Sequence, residues 1–392
     1  MKYFIAKASM PPSDSDLAFR LSSEAKEKRN CGTKVINSTL GMLLDNEGTI
    51  LESPKLKELL KSNDINAYRG YAPITGDKMY QDSIIKWTLA DNYHDILMQY
   101  SVSSIYTMGG TGALFVAFRN YVDYYQKIII PSLGWNNYEN IAKSVNREVL
   151  TYNLFKDDKF DIDSLIKVAS KSISDTGRAL VVINDPAHNP SGYSLSADEW
   201  DKIIFELNKL NKKGSVTLVL DIAYIDFAKD GRVFFDCILN RKAEFLTLAT
   251  FSGSKAFSLY GYRIGGLIAI HFNKAVTDEF FDSAKATCRA SWSNPSHIAM
   301  NVTKCIMNDE SIVKDIKKTN DEGKALIKER LELVRKELGN IGEELPYSDG
   351  FFLTYKVDKA SKVVEELKKR DIYVLPIKDK YIRVALCSFI KL

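Results

Sequence analysis

Between residues 127 and 271 the chain alternates short, continuously apolar runs with stretches of helical period. The runs are "KIIIP" (127–131), "REVLTYN" (147–153), "ALVVIND" (179–185), "SVTLVLDIAY" (215–224), "EFLTLATFS" (244–252) and "RIGGLIAIH" (263–271). Helical patterns such as "NNYENIAKSV" and "SADEWDKIIFELNKL" lie between them. A strand that is apolar at nearly every residue must be covered on both faces, and intervening helices supply the cover. This restricts the chain to a parallel or mixed sheet within an α/β domain.

The remainder reads differently. Residues from about 310 to 340 form one long, charged amphipathic helical pattern. A strand pattern (351–357), a helix (359–370) and two strands (372–376 and 381–387) follow it. This tail is expected to be a separate α+β unit. A length of 392 residues accommodates both. The domain boundaries expected are an N-terminal segment 1–45 that joins the small unit, a large domain 46–305 and a small domain 306–392.

Composition excludes several classes of function. The net charge of +4 is small beside 54 basic and 50 acidic residues, so bulk charge does not point to nucleic acid. No run of about 18 apolar residues suits a membrane span, and "MKYFIAKASMPPSDSD" lacks the apolar core of a signal sequence. The five cysteines are scattered and include no CxxC pair, and the four histidines lack metal-ligand spacing. Reduced thiols in a cytoplasmic protein without a metal site are expected.

In open α/β sheets ligands gather at the carboxyl ends of the strands, so the polar residues there carry the chemistry. One strand ends in Asp221, with Tyr224 after it. Another leads into Ser252, Ser254 and Lys255, with Arg263 eight positions beyond the lysine. Others lead into Asn189 and Trp135, and "GGTGAL" puts Gly109, Gly110 and Thr111 at a helix start. Each feature alone has a plain alternative. The glycines suit an ordinary turn as well as an anion site. Asp221 suits a helix cap, Arg263 a surface ion pair, and Trp135 the core. Taken together they are what pyridoxal phosphate requires. A lysine amine forms a Schiff base with its aldehyde. An aspartate keeps the pyridine nitrogen protonated so that the ring accepts electrons. A phenol bonds the ring hydroxyl, while an arginine, hydroxyls and a helix N-terminus hold the phosphate.

The motifs resemble those of the fold-type-I, class I aminotransferases, the group that includes aspartate and aromatic amino-acid aminotransferases. The likeness runs from "INSTLGMLLDNEG" to "IRVALCS" and rests on "SGSKAFSLYGYRIG", "DIAYIDFA", "HNPSG", "GGTGAL" and "RASWSNPS". The resemblance implies a mixed, mostly parallel sheet in a large domain, a small α+β domain and pyridoxal 5′-phosphate as cofactor. It implies that Lys255 holds the cofactor and shuttles the substrate proton, that Asp221 meets the pyridine nitrogen, and that Tyr224 and Asn189 bond the ring hydroxyl. Trp135 would stack on the ring, and Ser252, Arg263, Gly110 and Thr111 would bind the phosphate, with Ser254 either helping there or capping the turn. Tyr71, in "GYAPITG", would reach the phosphate of a neighbouring subunit, which makes a homodimer the expected unit; plain dimer packing is the alternative. Arg383 would clamp the substrate α-carboxylate beside Gly41. Arg289 would cross the interface to meet a side-chain carboxylate, or serve only as an interface arginine.

The implied reaction is ping-pong transfer of an amino group from aspartate or an aromatic amino acid to a 2-oxo acid such as 2-oxoglutarate. A β-lyase or decarboxylase on the same fold is the alternative, and a non-catalytic regulator a remoter one. Three departures from the family pattern stand out. Tyr138 occupies the place of a histidine that supports the pyridine-binding aspartate. Leu43 and Leu44 replace a more polar pattern and are expected to reshape the substrate pocket. The chain ends nine residues after Arg383, where a longer terminal helix is usual.

Overall fold

The computed structural model describes residues 17–62 and 64–390. The first sixteen residues, over which no signal sequence is expected, lie outside the described residues. The apolar runs fold into one seven-stranded sheet. Its strands are β1 (Ser101–Met108), β2 (Lys127–Pro131), β3 (Glu148–Tyr152), β4 (Arg178–Asn184), β5 (Ser215–Asp221), β6 (Leu246–Ser252) and β7 (Ile264–His271). The spatial order is β1-β7-β6-β5-β4-β2-β3. β7 runs antiparallel to both neighbours, and all other pairings are parallel.

Both faces of this sheet are covered, as continuous apolar runs require. Along β4, Ala179, Val181 and Ile183 enter one buried cluster with Trp200 and Ile203. Leu180 and Val182 enter another on the opposite face, with Leu114 and Phe118 of the helix Gly109–Tyr121. Strand periodicity of two thus splits one apolar run between two cores.

The long pattern near 310 is the helix Glu310–Leu338, capped by the Asp309 side chain, which accepts from the N–H groups of Ser311 and Ile312. Its face of Ile327, Leu331, Val334 and Leu338 packs on a four-stranded antiparallel sheet, β8 (Glu343–Glu344), β9 (Phe352–Lys356), β10 (Leu375–Ile377) and β11 (Tyr381–Ala385). Its order is β8-β9-β11-β10.

The single strand expected over 372–376 is two. Ile372–Tyr373 pairs in parallel with Ile36–Asn37, while Leu375–Ile377 pairs with β11. Pro376 has no N–H to donate, which suits an edge strand, and β10 lies at the edge. The last strand stops at Ala385 rather than 387 and gives way to a single 3₁₀ turn, Leu386–Ser388.

The pairing through Ile36 attaches the N-terminal segment to the small sheet. Arg330 on the long helix fixes its next stretch by donating to the carbonyls of Cys387 and Asp45 and to Asn46 Oδ1. Leu43 is fully buried against Gly323, where a Cβ would come 2.5 Å from the leucine methyl. Leu43 shares a buried cluster with Tyr224, Phe351 and Phe352, and its N–H donates to Tyr260 Oη at 2.8 Å, so it packs behind the aromatic residues around Lys255.

Candidate active site

β1, β2, β4, β5 and β6 all end at one edge of the sheet, and antiparallel β7 begins there. Met108, Pro131, Asn184, Asp221, Ser252 and Arg263 therefore share that edge.

Its anion-binding part rests on two glycines. Gly109 has φ +70° and opens the helix Gly109–Tyr121, and a Cβ there would lie 2.3 Å from Arg263 Nη2. A Cβ on Gly265 would lie 2.3 Å from the Gly109 carbonyl carbon. Only residues without side chains let the guanidinium and the strand approach the helix start this closely. Arg263 donates to the carbonyls of Met108 and Tyr260 and to Ser254 Oγ, and among the described residues no acidic side chain bonds it. Gly110 lies against Ser252, with 3.4 Å between its Cβ position and the serine Cβ. Among the described residues no side-chain hydrogen bond caps the start of this helix. Free N–H groups, an arginine and two serines form a cradle that fits a phosphate.

Next to it lies Asp221, 6% exposed. Tyr138 Oη donates to Asp221 Oδ2 at 2.5 Å, and Thr250 Oγ1 and the Ala223 N–H donate to Oδ1 at 3.1 and 3.2 Å. Burial raises the Asp221 pKa, and these three donors oppose the rise. Asn184 links this strand end to the Asn189 turn: its Nδ2 donates to the Asp221 carbonyl and its Oδ1 accepts from the Asn189 N–H, both at 2.7 Å. Trp135 stands edge-on to Tyr138, ring centres 5.6 Å apart.

Lys255 sits on the short helix Gly253–Ala256 and donates to the Gly41 carbonyl. Its amine lies 4.8 Å from the Tyr260 ring centre, 5.5 Å from Phe351 and 5.7 Å from Tyr224. Burial pulls the amine down to about 8, and the charges of Arg383 and Arg263 act in the same direction. Burial keeps the Tyr224 phenol protonated.

Arg383 is 7% exposed and close by. Its Nη2 donates to the Thr39 carbonyl at 2.6 Å and its Nη1 to Asn189 Oδ1 at 3.2 Å. Its Nε has no partner, and the Phe352 ring centre lies 4.3 Å from its guanidinium carbon. Burial brings its pKa down to about 10. Among the described residues no carboxylate pairs with it. A buried cation held only by neutral acceptors is costly unless an anion completes the site.

The structure thus brings Lys255, Asp221, Tyr224, Asn189, Trp135, Ser252, Arg263, Gly110, Thr111, Gly41 and Arg383 to one region. It leaves Arg289 and Tyr71 outside it. Arg289 is exposed and bonds Ser293 Oγ and Asn294 Oδ1. Tyr71 is 92% exposed. The two belong to one surface, because Asn294 Nδ2 donates to the Ala72 carbonyl at 2.8 Å.

Sequence reasoning missed Thr250, Tyr260, Phe351 and Phe352. A threonine within "EFLTLATFS" is a polar break that register places beside Asp221. The aromatics carry no such signal, since they resemble core residues.

The strand order and this edge define an α/β transferase of fold type I. A family model described as aminotransferase class I and II matches residues 33–388, and the chain belongs to that family. Over 288 residues it is 27% identical to the aromatic-amino-acid aminotransferase of Escherichia coli strain K12, covering 71% of this chain and 70% of that protein. Over 373 residues it is 25% identical to the mitochondrial aspartate aminotransferase of Saccharomyces cerevisiae, covering 86% and 80%. The crystal structure of an aminotransferase from Anaerococcus prevotii superposes with a TM-score of 0.89 at 30% identity, covering 99% of this chain and 95% of that one. No helix among the described residues is long and apolar enough to cross a membrane.

Proposed function

We propose that the protein moves the α-amino group of aspartate or an aromatic amino acid to a 2-oxo acid such as 2-oxoglutarate, with pyridoxal 5′-phosphate held around Lys255. The observation that carries this reading is the buried Arg383, without a carboxylate partner among the described residues, beside a lysine whose amine is pulled down to about 8. A carboxylate-binding cation and a neutral-capable amine in one pocket suit an α-amino acid substrate.

The residues present fit the cofactor. Arg263, Ser252 and the N–H groups of Gly110 and Thr111 hold its phosphate. Asp221 would meet its ring nitrogen, Tyr224 and Asn189 its hydroxyl, and Trp135 would stack on the ring. When bound, it supplies an electron-accepting ring that stabilises negative charge at the substrate α-carbon. Arg383 takes the substrate carboxylate through its forked N–H groups and so fixes which α-bond faces Lys255. Lys255 anchors the cofactor, then accepts the α-proton as a neutral amine and returns it on the other side of the transfer. The aromatic walls of Tyr224, Tyr260 and Phe351 keep water away from that amine.

The domain reading is carried forward with it: a segment 1–45 joining the small domain, a large domain 46–305 and a small domain 306–392. A homodimer in the cytoplasm is the proposed working form. Tyr71 of a second copy would complete the phosphate site, and Arg289 of that copy would meet the side-chain carboxylate of a dicarboxylic substrate. The exposure of Tyr71 and the lack, among the described residues, of an acidic partner on Arg289 support this. Arg289→Ala is then expected to lower kcat/KM for aspartate by about 10²-fold, the loss of one charge-assisted pair, while phenylalanine changes less than about threefold. Steady-state assays with both donors decide it, and an unchanged ratio between them removes Arg289 from substrate selection.

A further inference from the structure

Beneath the Asp221 carboxylate lies Tyr138. Its side chain is 1% exposed and its hydroxyl donates to Asp221 Oδ2 at 2.5 Å. Tyr138 lies on the helix Asn137–Ser144, whose approach to the strand end is set by the turn after β2. The groups facing the phenol are Asp221, Tyr152 and Tyr224, and Trp135 packs edge-on against it. An imidazole in this place has two protonation states near neutral pH. A phenol has one, and burial first, then the Asp221 charge, push its ionisation well above the ordinary tyrosine value. Among the described residues its single proton has one acceptor, the Asp221 carboxylate.

We propose that Tyr138 is the positioning residue of Asp221: a donor without an ionised form in the working range, which fixes the aim of the carboxylate towards the ring nitrogen of the cofactor at every working pH. The proposal rests on the cofactor reading above. It differs from a purely structural role, because the effect of the hydroxyl should pass through Asp221 alone.

The test is the affinity of the cofactor-free protein for pyridoxamine 5′-phosphate, which binds without a bond to Lys255. Quenching of tryptophan fluorescence reports it at pH 6 and pH 9. Tyr138→Phe is expected to weaken binding by roughly ten- to a hundredfold, the loss of one charge-assisted hydrogen bond, and by the same factor at both pH values. In an Asp221→Asn background the same change should cost almost nothing, since coupled residues are not additive. Tyr138→His should restore most of the affinity, but by a factor that differs between pH 6 and pH 9. Tyr138→Phe binding as tightly as the parent overturns the proposal, and so do losses that add in the double variant. If thermal melts show that Tyr138→Phe does not fold, Tyr138→His carries the same comparison in both backgrounds. A parent protein that takes up no pyridoxamine 5′-phosphate overturns the cofactor reading and this proposal together. A parent that binds it normally while every variant matches it overturns this proposal alone.

Discussion

Lys255→Ala is expected to reduce amino transfer by about 10⁴-fold or more, because it removes both the anchoring nucleophile and the general base. The fold should survive. Lys255 occupies a pocket that lowers its charge affinity, and its one hydrogen bond goes to the Gly41 carbonyl. A thermal melt of the variant should therefore sit no lower than that of the parent. The same amine sets a pH signature. Capture of pyridoxal phosphate by the cofactor-free protein needs the neutral amine. It should accelerate with rising pH and level off above about 8, the value to which burial brings Lys255, rather than near 10.5 as for a free lysine. Stopped-flow absorbance across pH 6–10 measures this. A plateau that arrives only near 10.5 would show that the pocket does not depress the lysine.

The second large effect belongs to Arg383, and its two readouts should move in opposite directions. Arg383→Met removes the clamp for the α-carboxylate, so kcat/KM should fall by about 10²- to 10³-fold for every amino donor, acidic or aromatic. The same change removes a buried cation that has no carboxylate partner among the described residues. Stability in urea should then be unchanged or higher, because an unpaired buried charge opposes folding. A variant that loses activity only by unfolding would mean that Arg383 is a structural post. This separates it from Arg289, whose loss should discriminate between donors.

Much of this site was legible before the fold was known, for identifiable reasons. Arg383 came from the resemblance carried by "IRVALCS", and a lone cation inside the apolar run "YIRVAL" agrees with it, since that placement costs energy unless it serves a ligand. Asp221 stood out because it ends an apolar run, and Lys255 because another run leads into it through Ser252 and Ser254. Six strands of the large sheet announced themselves through continuous apolarity. The seventh did not: "SVSSIYTM" carries three serines and no continuous apolar run, yet it forms β1 and pairs along its whole length with β7. Strand direction was equally hidden, since nothing local in "RIGGLIAIH" states that β7 runs against its neighbours. That reversal is what delivers Arg263 to the edge where the other strands end. Tyr138 was visible as a departure, but its bond to Asp221 is a contact across 83 residues and depends on the packing of a helix against a strand end. Tyr71 and Arg289 lie on the surface of the chain, away from the Lys255 region, so no contact within one chain could mark them as site residues.

The central claim is that the Lys255 pocket is built for pyridoxal phosphate and passes an amino group between two acids. The most direct measurement is the visible absorbance of the purified protein reconstituted with pyridoxal 5′-phosphate, before and after aspartate or phenylalanine, then after 2-oxoglutarate. The account predicts a band of the lysine-bound cofactor that fades with the amino donor and returns with the oxo acid. A protein that takes up no pyridoxal phosphate would contradict the account. A band that forms but responds to neither donor, or fades and never returns with the oxo acid, would contradict transamination and leave lyase or decarboxylase chemistry on the same fold.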